Sequence, residues 1–87
     1  MKRLTASPDL TIKAYSMREV LFEGRAFSLQ AANRLGPLTV LPGHANLLAI
    51  LTDCTVLIDG EQGEKELLID NGILKVSSNQ ISLFINL

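Results

Sequence analysis

An all-β fold is what this sequence predicts: a single domain over residues 1–87, built as a β-sandwich or flattened barrel of about eight to ten short, mostly antiparallel strands. Three observations carry that expectation. Apolar and polar residues alternate with period two through most of the chain, turn-forming residues interrupt the alternation every several positions, and no segment sustains a 3.6-residue period.

The elements follow in order. Leu10, Ile12 and Ala14 share one face of a first strand, with Thr11 and Lys13 opposite. Val20 and Phe22 form a second strand that ends at a tight turn around Gly24-Arg25, and Phe27, Leu29 and Ala31 return as a third. Leu38–Leu41 is a short segment that runs into Pro42-Gly43. Leu47–Leu51 shows no alternation, so it is expected to be covered on both faces or to lie under a loop, with a short helix as the other option. Cys54, Val56 and Ile58 alternate toward a glycine-bounded hairpin, Asp59–Gly63, which leads into the strand Glu64–Asp70. Asn71-Gly72 reads as a break, a bulge or a close backbone approach before Ile73, Leu74 and Val76. Ser77–Gln80 then turns the chain into Ile81, Leu83, Ile85 and Leu87, while Lys2-Arg3 and Ser7-Pro8 are a lead-in.

Eighty-seven residues, 47% of them hydrophobic, suffice for one core, and a chain of this size buries only about 60 to 65% of the surface it exposes unfolded. A partner is therefore expected. The formal charge is −1, without a basic run, which argues against nucleic acid. The longest apolar run, Leu47–Leu51, is too short to cross a bilayer, and the N-terminus lacks the apolar core of a signal peptide, so a soluble, non-exported protein is expected.

Chemistry is sparse. One histidine and one cysteine do not make a metal site, and the alternation turns Cys54 inward as a small apolar filler rather than outward as a nucleophile. Glu61, Glu64 and Glu66 gather at one hairpin with Lys65 among them, a solvated loop. No glycine-rich nucleotide motif occurs, and Tyr15, Phe22, Phe27 and Phe84 fall where core or half-core residues belong. No cofactor is expected. The residues describe a binding or structural module whose most distinctive stretch is Leu41-Pro42-Gly43-His44-Ala45-Asn46-Leu47-Leu48, where a Pro-Gly turn presents the single histidine.

Phe22-Glu23-Gly24, then Leu41–Leu48, then Asn71-Gly72-Ile73-Leu74-Lys75-Val76 occur in that order. This arrangement resembles the epsilon subunit of F-type ATP synthases, over about Leu10 to Leu87. The resemblance implies the amino-terminal β-sandwich domain of a rotor subunit that does no chemistry itself. Such a subunit binds the gamma subunit and the membrane c-ring, couples ion translocation to ATP synthesis or hydrolysis, and sits peripherally at the cytoplasmic face of a bacterial membrane. It implies a c-ring-facing set of Arg34, Gly36, Pro37, Gly43 and His44, and a gamma-facing set of Ser16, His44, Ala45, Leu48 and Ala49. Family members commonly carry a G-E-x-G stretch before the turn, where this chain reads Gly36-Pro37-Leu38-Thr39, so Pro37 stands in place of an acid. They also continue into a helical hairpin with regulatory roles, whereas this sequence stops at Leu87, where the sandwich is expected to finish. Two other readings compete: a stand-alone β-sandwich interaction module in an unrelated assembly, and a small-molecule-binding barrel or isomerase with a polar cavity around His44.

Overall fold

A computed structural model describes residues 7–33 and 36–86 of the chain. Their regular structure is all strand: β1 (Leu10–Tyr15), β2 (Val20–Asn33), β3 (Gly36–Val40), β4 (Leu47–Gly60), β5 (Gly63–Ser77) and β6 (Gln80–Ile85). The strands are hydrogen-bonded in the order β1-β6-β5-β4-β2-β3, and β1 also pairs with β2, so five strands close on themselves and β3 lies outside on β2. Every pairing is antiparallel except β1 with β6.

The all-β sandwich or flattened barrel is borne out, with six described strands in place of eight to ten, because β2, β4 and β5 each run 14 or 15 residues and serve both layers. Each changes layer at a specific irregularity. In β4 and β5 the switch is shared: Thr52 pairs with Asn71 and Cys54 with Ile69, and between them Asp53 takes a left-handed φ of 46°. Two successive outward residues on each strand, Thr52-Asp53 and Asp70-Asn71, invert the alternation, so Leu51 and Cys54 both point inward. Asn86 secures this corner, its N–H donating to the Asn71 carbonyl (2.7 Å) and its Oδ1 accepting from the Asp70 N–H (3.2 Å).

In β2 the device is a bulge. Ala26 opposes Gly60 and Ser28 opposes Asp59, leaving Phe27 as the extra residue. Phe27 is therefore half-buried, while the inward positions are Ala26, Leu29 and Ala31. The expected turn at Gly24 is absent: Gly24 lies within β2 opposite Ile12. The β1–β2 connection is Ser16–Glu19, where the Ser16 Oγ accepts from the N–H groups of Arg18 (3.2 Å) and Glu19 (3.3 Å), so a serine supplies the turn chemistry usually sought from glycine.

At Gly72 the close approach expected from sequence is present without a break in the strand. A Cβ there would lie 2.9 Å from the Phe84 carbonyl oxygen and 3.3 Å from Ile85 Cγ2. Between the layers, Leu10, Ile12, Leu29, Val40, Leu51, Val56, Ile58, Leu74, Leu83 and Ile85 form an aliphatic core, with no buried polar residue among the described ones. The lead-in Lys2-Arg3 and the final Leu87 lie outside the described residues.

Candidate functional site

Leu41–His44 forms a turn with the marks of type II: Pro42 at the second position, Gly43 at φ 87°, and the His44 N–H donating to the Leu41 carbonyl (3.1 Å). Two asparagines brace it against the β5–β6 turn. The Gly43 N–H donates to Asn79 Oδ1 (2.7 Å), and the Ser78 N–H donates to Asn46 Oδ1 (3.3 Å). Ser78 and Asn79 take φ values of 50° and 65°, the conformation of a two-residue type I′ hairpin turn, which asparagine tolerates better than most residues. The Asn79 carbonyl also accepts the Thr11 N–H (2.9 Å), so the start of β1 belongs to the same assembly. Half-buried His44 has its Nδ1 2.7 Å from the Ala45 carbonyl oxygen. Because a carbonyl oxygen only accepts, that contact places a proton on Nδ1.

The second feature is a row of apolar side chains on the outer face, assembled by register. Val20 opposes Tyr15, Tyr15 opposes Phe84, Phe84 opposes Ile73, and Ile73 opposes Ile50. Each stands next to a residue whose side chain enters the core, so all five face outward. Tyr15 and Phe84 stack with centroids 5.0 Å apart, and Lys13 Nζ lies 5.4 Å from the Tyr15 ring centroid. Ile50 is 78% exposed and Val20 50%. One step along β4, Leu48 is 70% exposed opposite Lys75. Here a cleft of about 440 Å³ opens, lined by Asn46, Leu47, Leu48, Lys75, Val76 and Ser77. Leu47–Leu51 is thus not covered on both faces: it is strand, and its lack of alternation reflects leucine and isoleucine on the side open to solvent.

The sequence-derived residues fall in separate places. Leu48 lies beside the Ile50 end of the outer row and Ser16 follows Tyr15 near its Val20 end, so the row runs between these two members of the gamma-facing set. Ala49 turns inward and packs against the core, and Ala45 is exposed in the braced turn with His44. Of the c-ring-facing set, Gly36 and Pro37 open β3 opposite Asn33 and Ala32, whereas Gly43 and His44 follow its other end, roughly 15 Å away by strand rise. Arg34 lies outside the described residues. Cys54 is buried, and burial, helped by the neighbouring Asp53 charge, pushes its thiol pKa above the ordinary value. Such a thiol is a poor nucleophile. Sequence reasoning did not pick out Val20, Tyr15, Ile50, Ile73 and Phe84 as a set, although the unbroken apolar run at Leu47–Leu51 was a usable signal for Ile50.

Residues 9–86 match the family model described as the beta-sandwich domain of the ATP synthase delta/epsilon chain. The chain is 25% identical over 72 residues to the ATP synthase epsilon chain of Endomicrobium trichonymphae, covering 83% of this chain and 52% of that one. It is 26% identical over 78 residues to the ATP synthase epsilon chain of Synechococcus sp. (strain WH7803), covering 90% and 57%. The chain thus spans about half the length of the curated relatives it matches. In fold it is similar to a chain of the Euglena gracilis mitochondrial ATP synthase OSCP/F1/c-ring structure, with a TM-score of 0.79 at 14% identity over 98% of this chain and 55% of that one.

Proposed function

The chain belongs to the ATP synthase delta/epsilon-chain β-sandwich family, and from that premise we propose that it is a non-catalytic central-stalk subunit of a rotary F-type ATP synthase. In this reading it binds the gamma subunit and the c-ring, couples ion translocation to ATP synthesis or hydrolysis, and is held peripherally at the cytoplasmic face of a bacterial membrane. The observation that carries the reading is the outer apolar row, Val20–Tyr15–Phe84–Ile73–Ile50, on a closed two-layer scaffold. An exposed contiguous apolar patch on a small domain marks a surface meant to be covered by another protein.

Gamma is assigned to this row and to its flanks at Ser16 and Leu48, with Ala45 and His44 at the margin and Ala49 supporting Leu48 from within. The c-ring is assigned to Gly36, Pro37, Gly43 and His44. Because β3 separates the two pairs, contact with both requires the β3 edge to face the ring. Pro37 supplies that edge with shape and neither a charge nor an N–H. Torque transmission asks for a body that does not shear, and closure of the sheet through β1–β2 with three layer-crossing strands provides one.

The test is reconstitution: the purified chain, mixed with its cognate gamma subunit, should co-elute with it as a one-to-one complex on size exclusion. Gamma that assembles with other ATPase subunits yet never with this chain would refute the reading and favour an interaction module of some other assembly.

A further inference from the structure

Four strand edges among the described residues have no strand partner, and they differ in how they discourage one. The β3 edge carries Pro37. The first half of β5 carries Glu64, Lys65 and Glu66, and its end is capped where the Asp70 N–H meets Asn86 Oδ1. The first half of β2 carries Glu23 and Arg25, and the Arg25 carbonyl is taken by the Glu61 N–H (2.9 Å). Charges, proline and local caps are the usual protections of a free edge. The fourth edge, Leu47–Thr52 at the start of β4, has none: it reads Leu-Leu-Ala-Ile-Leu-Thr, and its pairing with β2 begins only at Thr55.

The hairpin geometry says which backbone groups lie open there. The two-residue turn Ser78-Asn79 makes Ser77 and Gln80 the hydrogen-bonded pair that closes the β5–β6 hairpin. Counting back in twos, Lys75 and Ile73 also bond to β6, so Val76, Leu74 and Gly72 bond to Leu47, Ala49 and Leu51 on β4. Leu48, Ile50 and Thr52 therefore point their N–H and C=O groups away from the sheet. Leu48 and Ile50 also carry the most exposed side chains at that end of the outer row, 70% and 78%.

We propose that this edge is a strand-addition site. An extended segment of the gamma subunit, apolar at alternate positions, pairs with Leu48, Ile50 and Thr52 and continues the row Val20–Tyr15–Phe84–Ile73–Ile50 by one more side chain. The inference rests on gamma being the partner, as proposed above, and adds the mode of binding. Main-chain bonds would give the added strand its register, and the outer row its side-chain specificity. A larger partner fits better than a second copy of this chain. Two copies joined edge to edge would place their outer rows side by side on one face and leave both uncovered, whereas a subunit with a strand at its margin covers edge and row together.

Amide hydrogen exchange, followed by NMR on the labelled chain with and without excess cognate gamma, tests this. The expected result is at least tenfold slower exchange at Leu48, Ile50 and Thr52 on gamma binding, with Glu64 and Glu66 on the charged edge unchanged. Co-elution of gamma without slowing at those three amides overturns strand addition and leaves the gamma assignment standing. Failure of gamma to bind overturns both. Protection that arises in the chain alone as its concentration rises overturns the choice of gamma in favour of a second copy. As a second readout, Ile50→Pro should weaken gamma binding about tenfold more than Ile50→Thr, because both shorten the side chain and only the proline removes the outward N–H; equal losses would overturn the proposal. The exchange measurement uses the unaltered chain, so it decides the matter even if the proline variant does not fold.

Discussion

Replacing Ile50 and Ile73 separates binding from folding. Complete burial of an isoleucine side chain contributes about 1.5 to 3 kcal/mol. Ile50 is 78% exposed, so a partner that covers it gains about 1 to 2 kcal/mol, and Ile73, 37% exposed, adds about 0.6 to 1 kcal/mol. Threonine keeps the β-branched shape that suits a strand, removes most of the apolar surface, and brings a hydroxyl that a dry interface leaves unsatisfied. Ile50→Thr should thus raise the Kd for gamma roughly 5- to 30-fold, and the double variant with Ile73→Thr roughly 15- to 150-fold, by the usual 1.4 kcal/mol per decade. Urea unfolding of the free chain should move by only about 0.5 kcal/mol for Ile50→Thr, the ordinary size of a surface change, and by about 1 to 2 kcal/mol for Ile73→Thr, whose side chain is already mostly covered in the free fold. Isothermal titration against gamma, beside urea curves for each variant, reads both quantities. An unchanged Kd with a fully folded chain would refute the assignment of the row, and a stability loss equal to the binding loss for Ile50→Thr would show that Ile50 serves the fold.

Other expectations concern the scaffold. Asn79→Ala removes the acceptor for the Gly43 N–H and puts alanine at φ 65°, which together should cost about 2 kcal/mol and lower Tm by roughly 8 to 16 °C, while Asn79→Gly, free of the backbone cost, should lose about half as much. Gly72→Ala sets a methyl 2.9 Å from the Phe84 carbonyl oxygen, and calorimetry should show about 2 to 3 kcal/mol of destabilisation. Burial, and next the Asp53 charge, hold the Cys54 thiol above its ordinary value near 9.0, so the folded chain keeps a proton that the unfolded chain has lost. That contribution is complete below about pH 9 and disappears as the pH climbs through the folded value, so urea midpoints should decline in alkali for the native chain and less steeply for Cys54→Ala.

Much of the fold was legible because a half-buried strand writes its inward face every second residue. Leu10-Ile12-Ala14 and Ile81-Leu83-Ile85 read correctly, as did the turns at Glu61-Gln62, followed by Gly63 at φ 130°, and at Ser78-Asn79. The errors sit where period two gives no information. Gly24 looked like a turn and lies in a strand, and Ser16–Glu19 makes the turn with a serine hydroxyl instead of a glycine. The phase inversions at Asp53 and Asn71 looked like strand ends, which inflated the strand count. The candidate interface was least legible, since its five side chains come from five strands and meet only through cross-strand register. Leu48 and Ser16 entered through the family resemblance, and the row between them required the registers.

The braced turn and the apolar row divide the work of an interface in a way that can be argued from their partners. At the turn, the Gly43 N–H and the Asn46 carboxamide are engaged inside the molecule, as is His44 Nδ1, so its polar groups fix local shape and leave few bonds to offer outward. In the row, aromatic and aliphatic surface is held in place by stacking and strand register and meets no core side chain of its own, so covering it is nearly all gain. On the reading proposed above, affinity for gamma resides in the row, and the turn governs how the cleft beside Leu48 and the unprotected β4 edge are presented. A loosened turn, as in Asn79→Gly, should then slow association by spreading the edge over several conformations while leaving dissociation close to native, whereas Ile50→Thr should act chiefly on dissociation. The two variants, compared by surface plasmon resonance against gamma, would exchange those signatures if the histidine turn were itself the main contact.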